Sequence, residues 1–188
     1  MNPSAAHAGN RTEQDMPKHD HTVLVLQGGG ALGAYQAGVY EGMTERGIAP
    51  DWVTGVSIGA INGALIAGNP AERRLERLRE FWDRVSSGNP LATLADFDPL
   101  RKGLNRLSAL GAATFGVPGF FSPRIPPPLF APDGTPGALS IYDTSPLRKT
   151  LEELIDFDLL NHRQRVRLSV GAVHVTTGNS VYFDSRDH

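Results

Sequence analysis

Ser57 stands between two glycines, Gly55 and Gly59, each two positions away. The G-x-S-x-G pattern, placed where an apolar β-branched run gives way to small residues, has the form of a nucleophile elbow. A strand turns sharply into a helix, and the serine Oγ is pushed into the open. The flanking positions must lack side chains, because neighbouring backbone passes close to them. The plainer alternative is a tight-packing turn. A second glycine cluster, Gly28, Gly29, Gly30 and Gly33, follows the apolar run Thr22–Leu26. G-x-G-x-x-G between a strand and a helix can hold a dinucleotide pyrophosphate, but that use wants an acidic residue at the end of the second strand. The nearest, Asp51, precedes that strand, and Ser57 occupies its end. The same loop can instead expose backbone N–H groups at a helix N-terminus, where negative charge is favoured. A tetrahedral intermediate formed on Ser57 would need such donors, each typically worth about 10²–10³ in rate.

The elements that must position these groups can be read from periodicity. Thr22–Leu26 suits a strand buried on both faces of a parallel sheet. A helix is expected from about Ala34 to Arg46, with Gly47 in the C′ position. On it, Ala34, Gly38 and Gly42 form a stripe that would let another element approach, and Tyr35, Val39 and Met43 one that would fill core space. The second strand covers Trp52–Val56. The helix after Ser57 carries Gly59, Gly63 and Ala67 on one face and ends at Asn69-Pro70. A third helix, 71–85, turns Leu75, Leu78, Trp82 and Val85 inward and Glu72, Arg73, Arg77, Glu80 and Arg84 to solvent. Residues 86–140 then break the rhythm with nine prolines and seven glycines among many apolar residues. They read as a lid or a packed irregular excursion, with a short amphipathic helix at about 100–113. Ser145 as N-cap and Pro146 at N1 start a helix to Ile155, with Leu147, Leu151, Leu154 and Ile155 inside. Strands at 166–175 and 180–183 flank a turn at Thr177-Gly178-Asn179.

Bulk properties narrow the function classes. The 188 residues suffice for one domain with a core. Residues 1–21 are polar and read as a disordered tail, with the domain at 22–188. Net charge is −2, which does not argue for nucleic acid. There is no cysteine, so disulfides and thiolate metal sites are excluded. No apolar run reaches the roughly 18 residues of a membrane span. The first residues lack the apolar core of a secretory signal. A cytoplasmic location is expected. His7, His19 and His21 lack the paired spacing of a metal site, and no metal is expected.

Two stretches together carry a resemblance: Val25-Leu26-Gln27-Gly28-Gly29-Gly30-Ala31-Leu32-Gly33-Ala34-Tyr35-Gln36-Ala37-Gly38, and about 25 residues on, Gly55-Val56-Ser57-Ile58-Gly59-Ala60-Ile61-Asn62. The chain resembles the patatin-like phospholipase family over most of 22–188. The resemblance implies an α/β fold of three layers, with a central, mostly parallel sheet flanked by helices. It implies a serine hydrolase of lipid esters, with Ser57 as nucleophile, an oxyanion hole at Gly28, Gly29 and Gly30, no cofactor, and contact with lipid, peripheral membrane contact included. Oligomeric state is left open.

In that family the base is an aspartate in Asp-Gly-Gly or Asp-Gly-Ala, downstream of the last strands, and neither tripeptide occurs here. Asp133, in the one Asp-Gly dipeptide, lies before those strands and reads as a turn residue. The expectation is therefore an N-terminal part of a longer domain, whose open sheet would expose apolar surface. A Ser…Asp…His triad could instead use Asp143 or Asp158 with His174 or His188, although His174 reads as a packed strand residue and His162 as a surface one. Two further readings stay open: a binding module that lacks a base, and a nucleotide-binding domain built on Gly28–Gly33.

Overall fold

The structure, a computed structural model, describes residues 21–87 and 116–187, save 126, 131, 133, 163 and 164. The first strand, β1 (Val23–Leu26), leads through the glycine loop and a 3-10 turn into α1 (Gly33–Glu45). Next come β2 (Trp52–Val56), α2 (Ile58–Ala67) and α3 (Arg74–Ser86). Beyond 115 the chain forms β3 (Ser122–Pro123), the short α4 (Pro136–Leu139), β4 (Tyr142–Asp143), α5 (Ser145–Leu154) and α6 (Phe157–His162). It closes with β5 (Arg167–Val173) and β6 (Ser180–Asp184). The expected helix at 100–113 and Asp133 lie outside the described residues, as do His188 and the first 20 residues.

The main sheet runs β1-β2-β5-β6, with β1, β2 and β5 parallel and β6 antiparallel to β5. This is the expected α/β arrangement of a mostly parallel sheet with flanking helices. The register sets Leu26 beside Gly55, and Gly55 beside Val170. The carboxyl ends of β1 and β2, and the turns that follow them, therefore share one edge.

Helix α2 is apolar almost all round, and such a helix must be buried. Ile58, Leu65, Ile66 and Ala67 are buried against Val53 and Leu168 of the sheet and against Leu78 and Phe81 of α3. A Cβ on Gly63 would sit 3.1 Å from both Val53 and Leu168, so the expected small-residue stripe of this helix does bring it down onto the sheet. Two polar residues close the α2–α3 corner. Asn69 Nδ2 donates to the carbonyls of Leu65 and Leu154, and Arg74 Nε to that of Asn69. Arg74 is buried, and Arg77, expected to face solvent, is largely buried too, with its guanidinium paired to Glu80 at 2.6 Å. Phe81, absent from the expected inner stripe, is fully buried.

Three expectations are corrected. First, β1 is not buried on both faces: Val25 is 67% exposed. The steps β1 to β2 and β2 to β5 go the same way, and right-handed crossovers of that kind place their helices on one face. Leu26, Val53 and Leu168 lie on that covered face. Val23, Val25, Val56 and Tyr182 lie on the other, where the described residues provide no helix. Second, the α1 stripes do not act as their spacing suggests. A Cβ at Gly38 would meet nothing within 4 Å, and Tyr35 is 78% exposed. Helix α1 touches the body through Gly33, Ala37 and Tyr40 instead. Third, His174 is not a packed strand residue. Strand β5 stops at Val173, and the exposed His174 imidazole Nδ1 lies 3.1 Å from Thr177 Oγ1 in the turn to β6.

The described part of the 86–140 segment packs as an irregular excursion. Phe120 lies 6.4 Å from Phe81 between ring centroids, and Thr150 Oγ1 donates to the Gly119 carbonyl at 2.8 Å. Ile125, Leu129 and Phe130 remain exposed.

On the open face, one polar cluster ties β6 to the sheet. Arg167 Nε donates to both Asp184 oxygens at 3.0 and 2.8 Å, and its guanidinium lies over Trp52. Trp52 Nε1 donates to Ser169 Oγ, which donates to Asp184. Burial opposes ionisation of Asp184. The hydrogen bonds from Ser169, the Arg186 amide and Arg167 outweigh it, and the pKa falls below the ordinary value. A depressed carboxylate stabilises the fold above its unfolded pKa, and that contribution is lost as pH falls through the folded one. Asp184→Ala is expected to cost about 2 kcal/mol at pH 7. By thermal melts that is about 4–8 °C for a chain of this size. The difference from wild type should shrink as the pH drops below the ordinary aspartate range. An equal difference at both pH values would contradict this account of the cluster.

Candidate active site

Ser57 has φ 53° and ψ −126°, and among the described residues it is the one non-glycine with positive φ. Such a conformation costs of order 1–3 kcal/mol and persists only where its surroundings enforce it. Those surroundings are visible. A Cβ on Gly55 would fall into the backbone of Gly59 and lie 2.7 Å from the Ala60 nitrogen. A Cβ on Gly59 would fall onto the Leu26 carbonyl and lie 2.7 Å from the Gln27 carbonyl oxygen. Both flanking glycines are therefore dictated by backbone crossings, the first between β2 and the start of α2, the second between α2 and the end of β1.

Ser57 takes the N-cap position of α2 without capping it. Its carbonyl accepts from Ala60 and Ile61, but its side chain makes no cap hydrogen bond, and the residue is exposed. An ordinary N-cap serine turns its Oγ onto the N2 or N3 amide. Here the positive φ turns the side chain out toward the glycine loop. A Cβ on Gly28 would lie 3.3 Å from Ser57 Cβ and 3.8 Å from Val56 Cγ2.

The loop's conformation requires its glycines. Gly29 has φ 148° and Gly30 φ 57°, both in the region that L side chains rarely adopt. Among the described residues, the Gly29 and Gly30 amides donate to no backbone carbonyl. Gly33 completes the pattern for a packing reason: its Cβ would collide with Ile58 and lie 2.7 Å from Trp82 Cζ2.

A buried amide network joins the two turns, and no spacing rule marks it. Asn62, one turn along α2 from Ser57, is 1% exposed. Its Nδ2 donates to the Gly33 carbonyl at 2.9 Å and to Gln36 Oε1 at 3.0 Å, and its Oδ1 accepts from Trp82 Nε1 at 3.1 Å. Gln36 Nε2 donates to the Gln27 carbonyl at 2.7 Å. The signal available in the sequence was a lone amide in an otherwise apolar helix.

Among the described residues, none of the candidate bases bonds to Ser57. Asp143 accepts the hydroxyl of Ser145 at 2.7 Å and its amide at 3.1 Å. Those two bonds hold its carboxyl below the usual range. It thereby takes the capping role expected of Ser145, which becomes the first residue of α5. Asp158 lies in the first turn of α6, and His174 is engaged with Thr177 in the β5–β6 turn. Asp184 is committed to Arg167 and Ser169. Among the described residues no group of three His, Asp or Glu side chains could hold a metal ion, and no helix is long and apolar enough to cross a membrane.

The patatin-like phospholipase family profile matches residues 24–187. The chain belongs to that family. Among its relatives, the lysophospholipase nte1 of Aspergillus terreus is 57% identical over 44 residues, 23% of this chain and 3% of that protein. The patatin-like phospholipase domain-containing protein 6 of Homo sapiens is 43% identical over 65 residues, 34% of this chain and 5% of that protein. A patatin-like phospholipase domain-containing protein of Caenorhabditis elegans, ZK370.4, is 44% identical over 59 residues, 31% of this chain and 4% of that protein. The matched stretches thus span a small fraction of these relatives' lengths. No solved structure was found to match the chain.

The crossing of α2 over the end of β1 yields a paired test. Gly59→Ala should cost about 3 kcal/mol or more, since the Leu26 and Gln27 carbonyls must move to admit a methyl group. The melting temperature should fall by about 6–12 °C. Gly38→Ala, with open space around it, should raise stability by up to about 1 kcal/mol through helix propensity. Similar effects from both substitutions would show that these glycines are not set by the contacts described.

Proposed function

We propose that this chain carries the acyl-transfer site of a lipid ester hydrolase. The observation that carries the reading is the enforced positive φ of an exposed Ser57 set directly against Gly28. Ser57 Oγ would attack the ester carbonyl carbon, giving up its proton to a base. The carbonyl π electrons would move onto oxygen, and the resulting oxyanion would be met by the backbone amides of Gly28, Gly29 and Gly30. Collapse breaks the bond to the ester oxygen, the protonated base returns its proton to that oxygen as the alcohol leaves, and an acyl-serine remains. Water, deprotonated by the same base, then releases the carboxylic acid and restores Ser57.

Exposed apolar side chains beside the turns suit a substrate with an acyl chain. Leu32 packs over Gly29, and Val56 precedes Ser57; both are exposed. Family membership supports the same substrate class, and one relative is named a lysophospholipase. In this reading the chain is cytoplasmic and meets lipid by peripheral contact. The base is a carboxylate, and among the described residues neither Asp143 nor Asp184 is held beside Ser57.

That last observation favours a second reading, in which the 188-residue chain binds lipid esters without turning them over. Hydrolysis of p-nitrophenyl butyrate and of a lysophospholipid by the purified chain separates the two. Turnover by wild type that Ser57→Ala reduces to the uncatalysed rate supports the hydrolase. Turnover that survives Ser57→Ala unchanged rejects Ser57 as nucleophile. Lipid binding without any turnover selects the second reading.

A further inference from the structure

Nothing at positions 28–30 has a side chain with which to anchor the loop, and a Cβ at Gly30 would meet no atom within 4 Å. A loop of consecutive glycines has the greatest backbone freedom to lose. Donors for a developing oxyanion are effective only when held in place before the reaction begins. Something outside the loop must therefore hold it.

Its two flanks are held by carboxamides. Upstream, the Gln27 carbonyl accepts from Gln36 Nε2; downstream, the Gly33 carbonyl accepts from Asn62 Nδ2. The two carboxamides are joined to each other, and Asn62 is joined to the Trp82 indole of α3. The polarity is self-consistent. Both Asn62 Nδ2 protons are used, Asn62 Oδ1 and Gln36 Oε1 each accept one donor, and the indole fixes which end of Asn62 is oxygen. Asn62 also sits in the helix that begins at Ser57. The network therefore references the glycine loop to the nucleophile's own helix.

We propose that Gln36 and Asn62 are positioning residues that hold the Gly28–Gly30 amides at a fixed distance from Ser57. The proposal rests on the acyl-transfer reading for its catalytic consequence, though not for the pinning itself. Gln36 is the residue to vary, because it is half-buried and at the end of the relay, whereas Asn62 lies within the core. Gln36→Met keeps length and volume and removes both hydrogen bonds. Gln36→Glu keeps an acceptor for Asn62 and sets a carboxylate against the Gln27 carbonyl.

Two measurements on the purified chain test this. The first is hydrogen exchange of the Leu32 and Gly33 amides, which close the loop onto the Gly29, Gly30 and Ala31 carbonyls. Both variants should exchange about three- to tenfold faster there, the factor for loss of one net hydrogen bond, and unchanged elsewhere. The second is the kinetics of fluorophosphonate labelling. The maximal labelling rate should fall about tenfold or more, as expected of a misplaced catalytic group, with the probe's half-saturation concentration unchanged. Gln36→Met separates roles: if volume alone mattered, methionine would restore both quantities. Unchanged exchange at Leu32 and Gly33 in both variants overturns the proposal, as does faster exchange with an unaltered labelling rate. If wild type itself takes no label at Ser57, the acyl-transfer reading fails, and exchange alone then decides whether the loop is pinned.

Discussion

The structure depends on one contact between backbones: the Cα of Gly59 lies against the carbonyls of Leu26 and Gln27, with no room for a methyl group. It is where the helix leaving Ser57 passes over the end of the neighbouring parallel strand. The crossing forces the β2-to-α2 turn to be tight, and the tight turn forces the positive φ of Ser57. It also brings the loop after β1 to the same edge, so that Gly28 faces the serine. A strained serine and an unencumbered set of amides thus share one geometric cause. The strain is sustained by the burial of α2, whose Ile58, Leu65 and Ile66 hold it onto the sheet.

Chain direction explains the rest of the layout. Strands β1, β2 and β5 step one way across the sheet, and the helices between them cover one face. The opposite face presents Val23, Val25, Val56 and Tyr182, with Asp184, Arg167, Ser169 and Trp52 linked among them. The polar cluster satisfies charged groups on that face and locks the antiparallel β6 into register. The edge that carries Ser57 remains accessible, with exposed apolar residues on either side of it.

Ser57 and Gly55 were legible because each answers the local demand of one tight turn. Gly59 and Gly33 were legible because they complete motifs, although the groups that require them, the Leu26 and Gln27 carbonyls and the Ile58 and Trp82 side chains, lie far along the chain. The places of β1, β2, β5 and β6 along the chain were legible because apolar runs and turn residues are local, although β5 ends at Val173 rather than 175. What depended on distant neighbours with no motif to mark it was not. Val23 and Val25 look identical whether a helix covers them or not, because strand order decides that. Gly38 repeats at helical spacing, yet α1 leans on Gly33, Ala37 and Tyr40, so the open stripe faces nothing close. His174 sits among apolar residues but just past the last strand residue. Asn62 finds Gly33, Gln36 and Trp82 across sequence separations of 29, 26 and 20 residues, and no pattern within one helix foretells such meetings.

The central claim is that the fold makes Ser57 reactive. The direct measurement is peptide-mapped fluorophosphonate labelling of the chain, folded and then unfolded in urea. The account predicts label on Ser57 in the folded chain and none after unfolding, when the turn and the glycine loop are gone. Label spread over several serines, or equal labelling of Ser57 in both states, would contradict it.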